Sequence, residues 1–306
     1  MITPAFLKKG DKIAIVAPAG KIAKAKVDNA VTTLEKWGLN PVLGKYIFKT
    51  QNQYSASDKQ RLSDFQTMLD DDEVRAIICA RGGYGSVRII DKLDFTKFVD
   101  NPKWIVGFSD ITVFHSHLQS NFAIETIHGT MAAGFNEDAK PVLATETLKS
   151  ALFGKELFFD LKPHSLSRKG KAKGIITGGN LAILTSLLGS KSDIDTKDKI
   201  LFIEDVGEYL YRLDRMMWTL KRAGKLKALA GLIVGGMTGM KDNGTSFGKT
   251  AYEIVKEAVK GYRYPVCFGF PAGHQDDNSA VILGREVQME ITQKGTKIVF
   301  SKTDQK

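Results

Sequence analysis

The chain has 306 residues, 43% of them apolar and 25% charged, with a formal net charge of +10. That length suits two domains rather than one core, the composition is that of an ordinary globular protein, and no apolar run reaches the roughly 18 residues a membrane-spanning helix needs. The positive charge is spread along the chain, and its densest stretch, Arg168-Lys169-Gly170-Lys171-Ala172-Lys173, reads as a solvated linker, so a nucleic-acid partner is not expected, whereas an anionic small substrate would be favoured by long-range attraction.

The first ten residues lack the basic-then-apolar order of a secretory leader, which predicts a cytoplasmic protein. In that compartment the two cysteines, Cys79 and Cys267, are expected to stay unpaired. Neither has a partner at metal-ligand spacing, so no metal site is expected. The segment 12–16 reads as a buried strand, and Val27, Val31, Leu34 and Trp37 then recur at helical spacing. A short strand follows at 41–43. Ser57 and Gln60 form the pattern of a capping box ahead of a helix bearing Leu62, Phe65 and Leu69. Strands are predicted at 76–80, 104–107 and 124–127, with a helix after Gly85 and another over 111–119. This alternation implies a parallel sheet with helices on both faces.

From about 134 to 173 the pattern weakens, with one helix near 145–152 and then a crossing linker. The second half reads as strands at 174–176, 200–203, 232–234, 266–269, 281–283, 287–291 and 297–300, with helices at 181–188, 211–223 and 250–259. The last two strands form a hairpin around Lys294-Gly295. The fold class is therefore α/β: a parallel-sheet domain over residues 1–165, then a smaller mixed α/β, strand-rich domain over 174–306.

The strongest local feature is Gly107-Phe108-Ser109-Asp110, where a buried strand ends just before a helix begins. That is the setting of a nucleophile elbow, which lifts a serine hydroxyl above the sheet edge. The usual second glycine is replaced by Ile111, and a plain helix N-cap is the competing reading. A serine nucleophile needs a base, and there are five histidines. His115 and His117 ride the following helix and are expected on its surface, and His164 falls in the linker and is expected to be solvated. His128 follows a strand, and His274 lies in a loop directly after one, so position alone leaves these two nearly even. Glu204 ends the strand 200–203 and suits the carboxylate that orients such a base, although pairing with Arg212 or Arg215 or capping the next helix is an equal reading. In the turn Arg81-Gly82-Gly83-Tyr84-Gly85, glycines allow close backbone approach to a ligand. The amide of Gly83, partnered by that of Asp110, reads as an oxyanion hole, against an ordinary tight turn.

Six segments in order, Ile15-Val16-Ala17-Pro18-Ala19-Gly20, Ala80-Arg81-Gly82-Gly83-Tyr84-Gly85, Gly107-Phe108-Ser109-Asp110, Gly178-Gly179-Asn180-Leu181, Phe202 to Glu208, and Gly273-His274 with Asn278 beyond, make the chain resemble the LD-carboxypeptidase family, the muramoyltetrapeptide carboxypeptidases. Peptidases conferring immunity to microcin C share that scaffold. The resemblance implies a triad of Ser109, Glu204 and His274, choosing His274 over His128. It also implies a flavodoxin-like first domain, a site built across the domain junction, and a homodimer. The chain departs from the family in having Ala280-Val281-Ile282-Leu283-Gly284 where a Leu-Pro pair often precedes the glycine.

The implied reaction is hydrolysis of the L,D-amide bond that releases terminal D-alanine from a murein tetrapeptide, through an acyl-enzyme and without a cofactor. Arg81, with Tyr84 beside it, is the candidate to bind the substrate carboxylate. Three rivals are a microcin-type amidase, a two-lobed binding protein without turnover, and a cysteine amidotransferase using Cys79. The first would need an aromatic side chain to stack on an adenine-sized group. Trp218, by its spacing with Leu213 and Leu220, is expected in the core instead.

Overall fold

The computed structural model describes residues 1–137 and 142–302. Part of the weakly patterned stretch, 138–141, and the final 303–306 of the second predicted domain lie outside the described residues. The first half runs β1 (Lys12–Val16), α1 (Lys24–Lys36), β2 (Asn40–Leu43), α2 (Asp58–Asp70), β3 (Val74–Cys79), α3 (Thr96–Asp100), β4 (Trp104–Gly107), α4 (Thr112–Phe122), β5 (Thr126–His128) and α5 (Leu143–Leu152). The second half runs β6 (Phe158–Leu161), β7 (Gly170–Asn180), α6 (Leu181–Ser186), β8 (Ile200–Val206), α7 (Leu210–Arg222), β9 (Gly231–Thr238), α8 (Ala251–Ala258), β10 (Val266–Phe268), β11 (Val281–Leu283), β12 (Glu286–Ile291) and β13 (Thr296–Phe300).

Five parallel strands in the order β5-β4-β3-β1-β2 carry helices on both faces, the flavodoxin-like arrangement. Their continuous apolar runs are what a sheet covered on both sides requires. The capping box at Ser57 and Gln60 forms as its residues predict. The seven-stranded second sheet has the order β10-β9-β8-β7-β12-β13-β6. Strands β7 to β10 are mutually parallel, and the β12–β13 hairpin adds antiparallel edges.

Several expectations are corrected. The basic stretch 168–173 is no linker, because β7 begins at Gly170. Lys171 and Lys173 alternate outward and meet Glu290 at 2.9 Å and Glu286 at 3.1 Å on the neighbouring strand, the cross-strand charge pairing that favours a sheet edge. After Gly85 the chain makes two 3-10 turns, Ser86–Arg88 and Ile90–Lys92, in place of a helix. Ile89, the joint between the two turns, and Ile90 after it are both buried. Sheet membership also ignores sequence order. Strand β6 joins the second sheet through β13, and β11 closes the first sheet antiparallel to β5.

Helix α4 packs between the two sheets and accounts for another correction. His115 and His117 are buried, not on a solvated surface. His115 Nε2 lies 2.8 Å from the Gly107 carbonyl, and His117 Nδ1 lies 2.9 Å from Ser192 Oγ. The same helix ties the halves together. Thr112 Oγ1 accepts from Asn180 N at 3.0 Å, and Thr177 Oγ1 donates to Gln119 at 2.6 Å. A second tie is the buried bidentate pair of Arg285 with Glu125, at 2.7 and 2.6 Å. Removing one member strands the other charge in the interior, so Arg285→Ala is expected to lower folding free energy by about 3–5 kcal/mol, read as a lower urea midpoint with an unchanged slope.

His164 is half-buried, stacked on Phe268 with centroids 5.8 Å apart, rather than solvated. Trp218 is 46% exposed, not in the core. Leu213, Met217 and Leu220 form the inward stripe of α7. Trp218 is turned about a quarter-circle from Met217 and lies under Lys221, whose Nζ is 4.7 Å from the ring centroid.

Candidate active site

The carboxyl ends of the parallel strands of both sheets face one cavity of about 710 Å³, whose lining includes Arg81, Gly82, Gly83, Phe108, Ser109 and His274. Ser109 follows β4 with φ +63, in the left-handed region. A non-glycine residue held there marks strain maintained by its surroundings, and a strand-to-helix elbow needs this conformation to present a side chain at the sheet edge. Gly107 makes the turn possible, because a Cβ there would lie 2.8 Å from Ile111 Cγ1. The competing N-cap reading finds no support in the contacts, since the Ser109 side chain caps neither the 3-10 turn that begins there nor α4.

Asp110, next to the serine, is buried, and its Oδ2 accepts from Ser86 N at 2.9 Å. Burial pushes its carboxyl up from the usual range, opposed by the bonds from Ser86. This contact draws the 82–86 turn against the elbow. A Cβ on Gly82 would sit 3.0 Å from Ser109 Cβ and 3.2 Å from its Oγ. The backbone of that turn thus lies beside the serine as closely as only glycine permits. Gly83 lines the cavity with φ +106. Arg81 also lines it, is exposed, and donates one hydrogen bond to the Lys21 carbonyl at 3.2 Å. Tyr84 is 46% exposed, its ring 6.1 Å from that of Tyr54, and is not among the cavity-lining residues.

Glu204 comes from the other sheet and is fully buried. The β8–β9 register shifts there: Ile203 opposes Val234, while Asp205 opposes Met237. A bulge of this kind re-aims side chains. It places Gly235 and Gly236 against the loop carrying His274, where Gly236 N donates to the Ala272 carbonyl at 2.9 Å. Glu204 Oε2 accepts from His274 Nδ1 at 2.7 Å and from His274 N at 3.1 Å. Gly273, at φ +103, lets the loop come this near, since a Cβ would lie 2.6 Å from the same oxygen. The loop is fixed further by Asn278 Oδ1, which accepts from Gly273 N at 2.8 Å, and by Thr238 Oγ1, which donates to the His274 carbonyl at 2.5 Å.

With Nδ1–H donated to a carboxylate, His274 is left with Nε2 as its proton acceptor, the tautomer a general base requires. Ser109 and His274 face the same cavity but share no direct hydrogen bond among the described residues, and such bonds commonly close only when substrate binds. His128 is fully buried at the end of β5, away from the cavity lining. Burial first, then the nearby imidazoles, holds its pKa well below the ordinary value, so it stays neutral. His115 beneath it is likewise lowered to about 4 by burial. Cys79 is buried and absent from the cavity lining, and burial pushes its thiol far up, which deprives a cysteine mechanism of its thiolate. Among the described residues, no group of three His, Cys, Asp or Glu side chains is placed to hold a metal.

The family model described as the LD-carboxypeptidase N-terminal domain matches residues 13–129, and that of the C-terminal domain matches 173–289. A probable murein peptide carboxypeptidase of Bacillus subtilis is 35% identical over 95% of this chain and 92% of its own length. The murein tetrapeptide carboxypeptidase of Pseudomonas aeruginosa is 27% identical over 91% and 93%. The chain belongs to the LD-carboxypeptidase family. It is thereby a serine-type LD-carboxypeptidase, a hydrolase. The solved muramoyltetrapeptide carboxypeptidase of Oxalobacter formigenes has the same fold, with TM-score 0.86 and 24% identity over 96% of this chain and all of that one. So has the microcin C7 self-immunity protein MccF bound to aspartyl sulfamoyl adenosine, with TM-score 0.88 and 23% identity over 99% and 100%.

Two contacts of this LD-carboxypeptidase site were not assigned from sequence. The Phe108 ring stands edge-on to the His274 imidazole, centroids 4.8 Å apart at 64°, so the residue before the serine also walls that imidazole. Its place inside the elbow motif was a usable signal. Asp205, beside Glu204, accepts from Asn180 Nδ2 and Ala182 N, both at 3.0 Å. It thereby binds the end of β7 to the end of β8, and its carboxyl is pushed up to about 6, chiefly by burial. Nothing in the local sequence announces that pairing.

Proposed function

We propose that this enzyme releases terminal D-alanine from a murein tetrapeptide by cleaving the L,D-amide bond through an acyl-enzyme on Ser109. The observation that carries the reading is the 2.7 Å bond from His274 Nδ1 to the buried Glu204, made at a cavity that Ser109 also faces. His274 Nε2 takes the Ser109 proton as Oγ attacks the scissile carbonyl carbon. The amides of Gly83 and Asp110 receive the developing oxyanion. Collapse of the tetrahedral intermediate expels the D-alanine amine, which leaves with the proton held by His274. Water then repeats the sequence on the ester and frees the shortened peptide.

The basic balance of the chain suits a substrate that ends in a free carboxylate. Arg81 is the group we assign to that carboxylate, with Tyr84 as a neighbouring contact beyond the cavity lining. A charge-assisted hydrogen bond of this kind is worth about 1.5–3 kcal/mol, so Arg81→Met should raise KM about tenfold or more with little change in kcat. The reading extends to a homodimer in the cytoplasm without nucleic-acid or membrane partners, checked by sedentiation in solution and by fractionation of cells. No helix among the described residues is long and apolar enough to cross a membrane.

The test is a panel of murein tetrapeptides and pentapeptides with released D-alanine measured. Release from tetrapeptides alone supports the proposal. Intact peptides together with cleavage of an aminoacyl sulfamoyl nucleotide would replace it with detoxification, and tight binding without any product would replace it with a binding role.

A further inference from the structure

The turn beside Ser109 is held by contacts that lie outside the site. Gly20 N donates to the Gly82 carbonyl at 3.0 Å. Peptide planarity then directs the N–H of Gly83 the opposite way, out of the bond with Gly20. The fit is tight, since a Cβ on Gly20 would lie 2.7 Å from the Gly82 oxygen. The loop of Gly20 follows β1 and that of Gly82 follows β3, and one buried cation joins them. Arg61, on α2 and 2% exposed, donates from Nη1 to the Pro18 carbonyl and, at 3.1 Å, to the Gly85 carbonyl. Its Nη2 is held by Asp58 at 2.5 Å, and its guanidinium lies 5.0 Å from the Tyr54 ring centroid. Gly85 has to be glycine for this, because a Cβ would sit 2.6 Å from Nη1. The far side of the turn is fixed by Ser86 N on Asp110, adjacent to the nucleophile.

We propose that Arg61 and Gly20 are positioning residues that lock the Gly82–Gly83 peptide with its N–H turned toward the oxyanion of the reaction. Arg61 spans Pro18 and Gly85 and fixes the separation of the two loops, and Gly20 fixes the rotation of the peptide between them. The proposal rests on the reading of Ser109 as nucleophile with Gly83 as oxyanion donor. Neither residue lines the cavity, so neither is a catalytic residue, and their effect is exerted through the orientation of one amide.

The experiment uses Gly20→Ala, Arg61→Lys and Arg61→Met in the full chain, with kcat, KM and the inhibition constant of a peptidyl boronic acid. Its boron accepts Ser109 Oγ, the serine proton passes to His274, and a boron-bound hydroxyl then occupies the oxyanion position. Loss of one aligned donor should lower kcat about 10²–10³-fold. KM should stay within about threefold, and boronate affinity should fall in proportion to kcat/KM, the signature of an interaction made only in the transition state. If Arg61→Met does not fold, Gly20→Ala decides, because it disturbs the same peptide without removing a buried charge. Unchanged kcat in a folded Gly20→Ala, or a fall in kcat with boronate affinity intact, would overturn the proposal. Equal boronate affinity in wild type and Ser109→Ala would instead remove the nucleophile reading itself, and the clamp with it.

Discussion

Ser109→Ala is expected to lower kcat for D-alanine release by about 10⁴–10⁶-fold, or about 5–8 kcal/mol of barrier, while the melting temperature stays within a few degrees of wild type. The two halves of that expectation have separate causes. The hydroxyl faces the cavity and takes part in no hydrogen bond among the described residues, so folding does not depend on it. The elbow is shaped by Gly107, by the close approach of Gly82 and by the Asp110–Ser86 contact, all of which survive the substitution. Only the bond-forming atom is lost. Residual turnover would come from binding and the oxyanion amides alone. Released D-alanine and a thermal melt on the same preparation check both halves.

Glu204→Gln is expected to cost about 10³–10⁴-fold in kcat with the fold again retained. Glu204 Oε2 holds both the ring and the backbone N–H of His274. An amide in its place either turns its NH₂ to the ring and favours the wrong tautomer, or keeps the hydrogen bond without the charge that stabilises the imidazolium. Stability pulls the other way. Glu204 is fully buried and its Oε1 has no partner among the described residues, so replacing a desolvated charge by a neutral isostere removes a cost at the same time as it loses a bond. The net change in folding free energy should stay within about 1 kcal/mol. Members of such a unit are not additive. The double variant with Ser109→Ala should therefore be no slower than Ser109→Ala alone, which a merely structural Glu204 would not produce.

The first sheet was legible in the sequence because its strands are buried on both faces and read as unbroken apolar runs, as 104–107 and 12–16 do. The elbow was legible for a related reason: a strand that ends on Gly107 before a serine and a helix has few conformations open to it. The hydrophobic pattern also singled out Glu204, although it ended the strand at 203 whereas β8 runs on to Val206 with Glu204 inside it at the register shift, and it left His274 and His128 level. Burial separates them, and burial depends on a second layer that no local window contains. The same blindness placed His115 and His117 on a surface, since a helix sandwiched between two sheets is covered on the side its own sequence presents as polar. Lys171 and Lys173 looked like linker charge until Glu290 and Glu286, more than a hundred residues away, appeared opposite them. Strand β11 could not be assigned to a sheet from its three residues, because pairing with β5 is a long-range choice. The family resemblance offers His274 for the first of these gaps and nothing for the others.

The most direct test of the account is intact-protein mass spectrometry after treatment with a fluorophosphonate, followed by peptide mapping. A single adduct on Ser109, slowed by Glu204→Gln and prevented by bound tetrapeptide, is what the account predicts. Full D-alanine release from a protein that carries no adduct, or carries it on another residue, would contradict it.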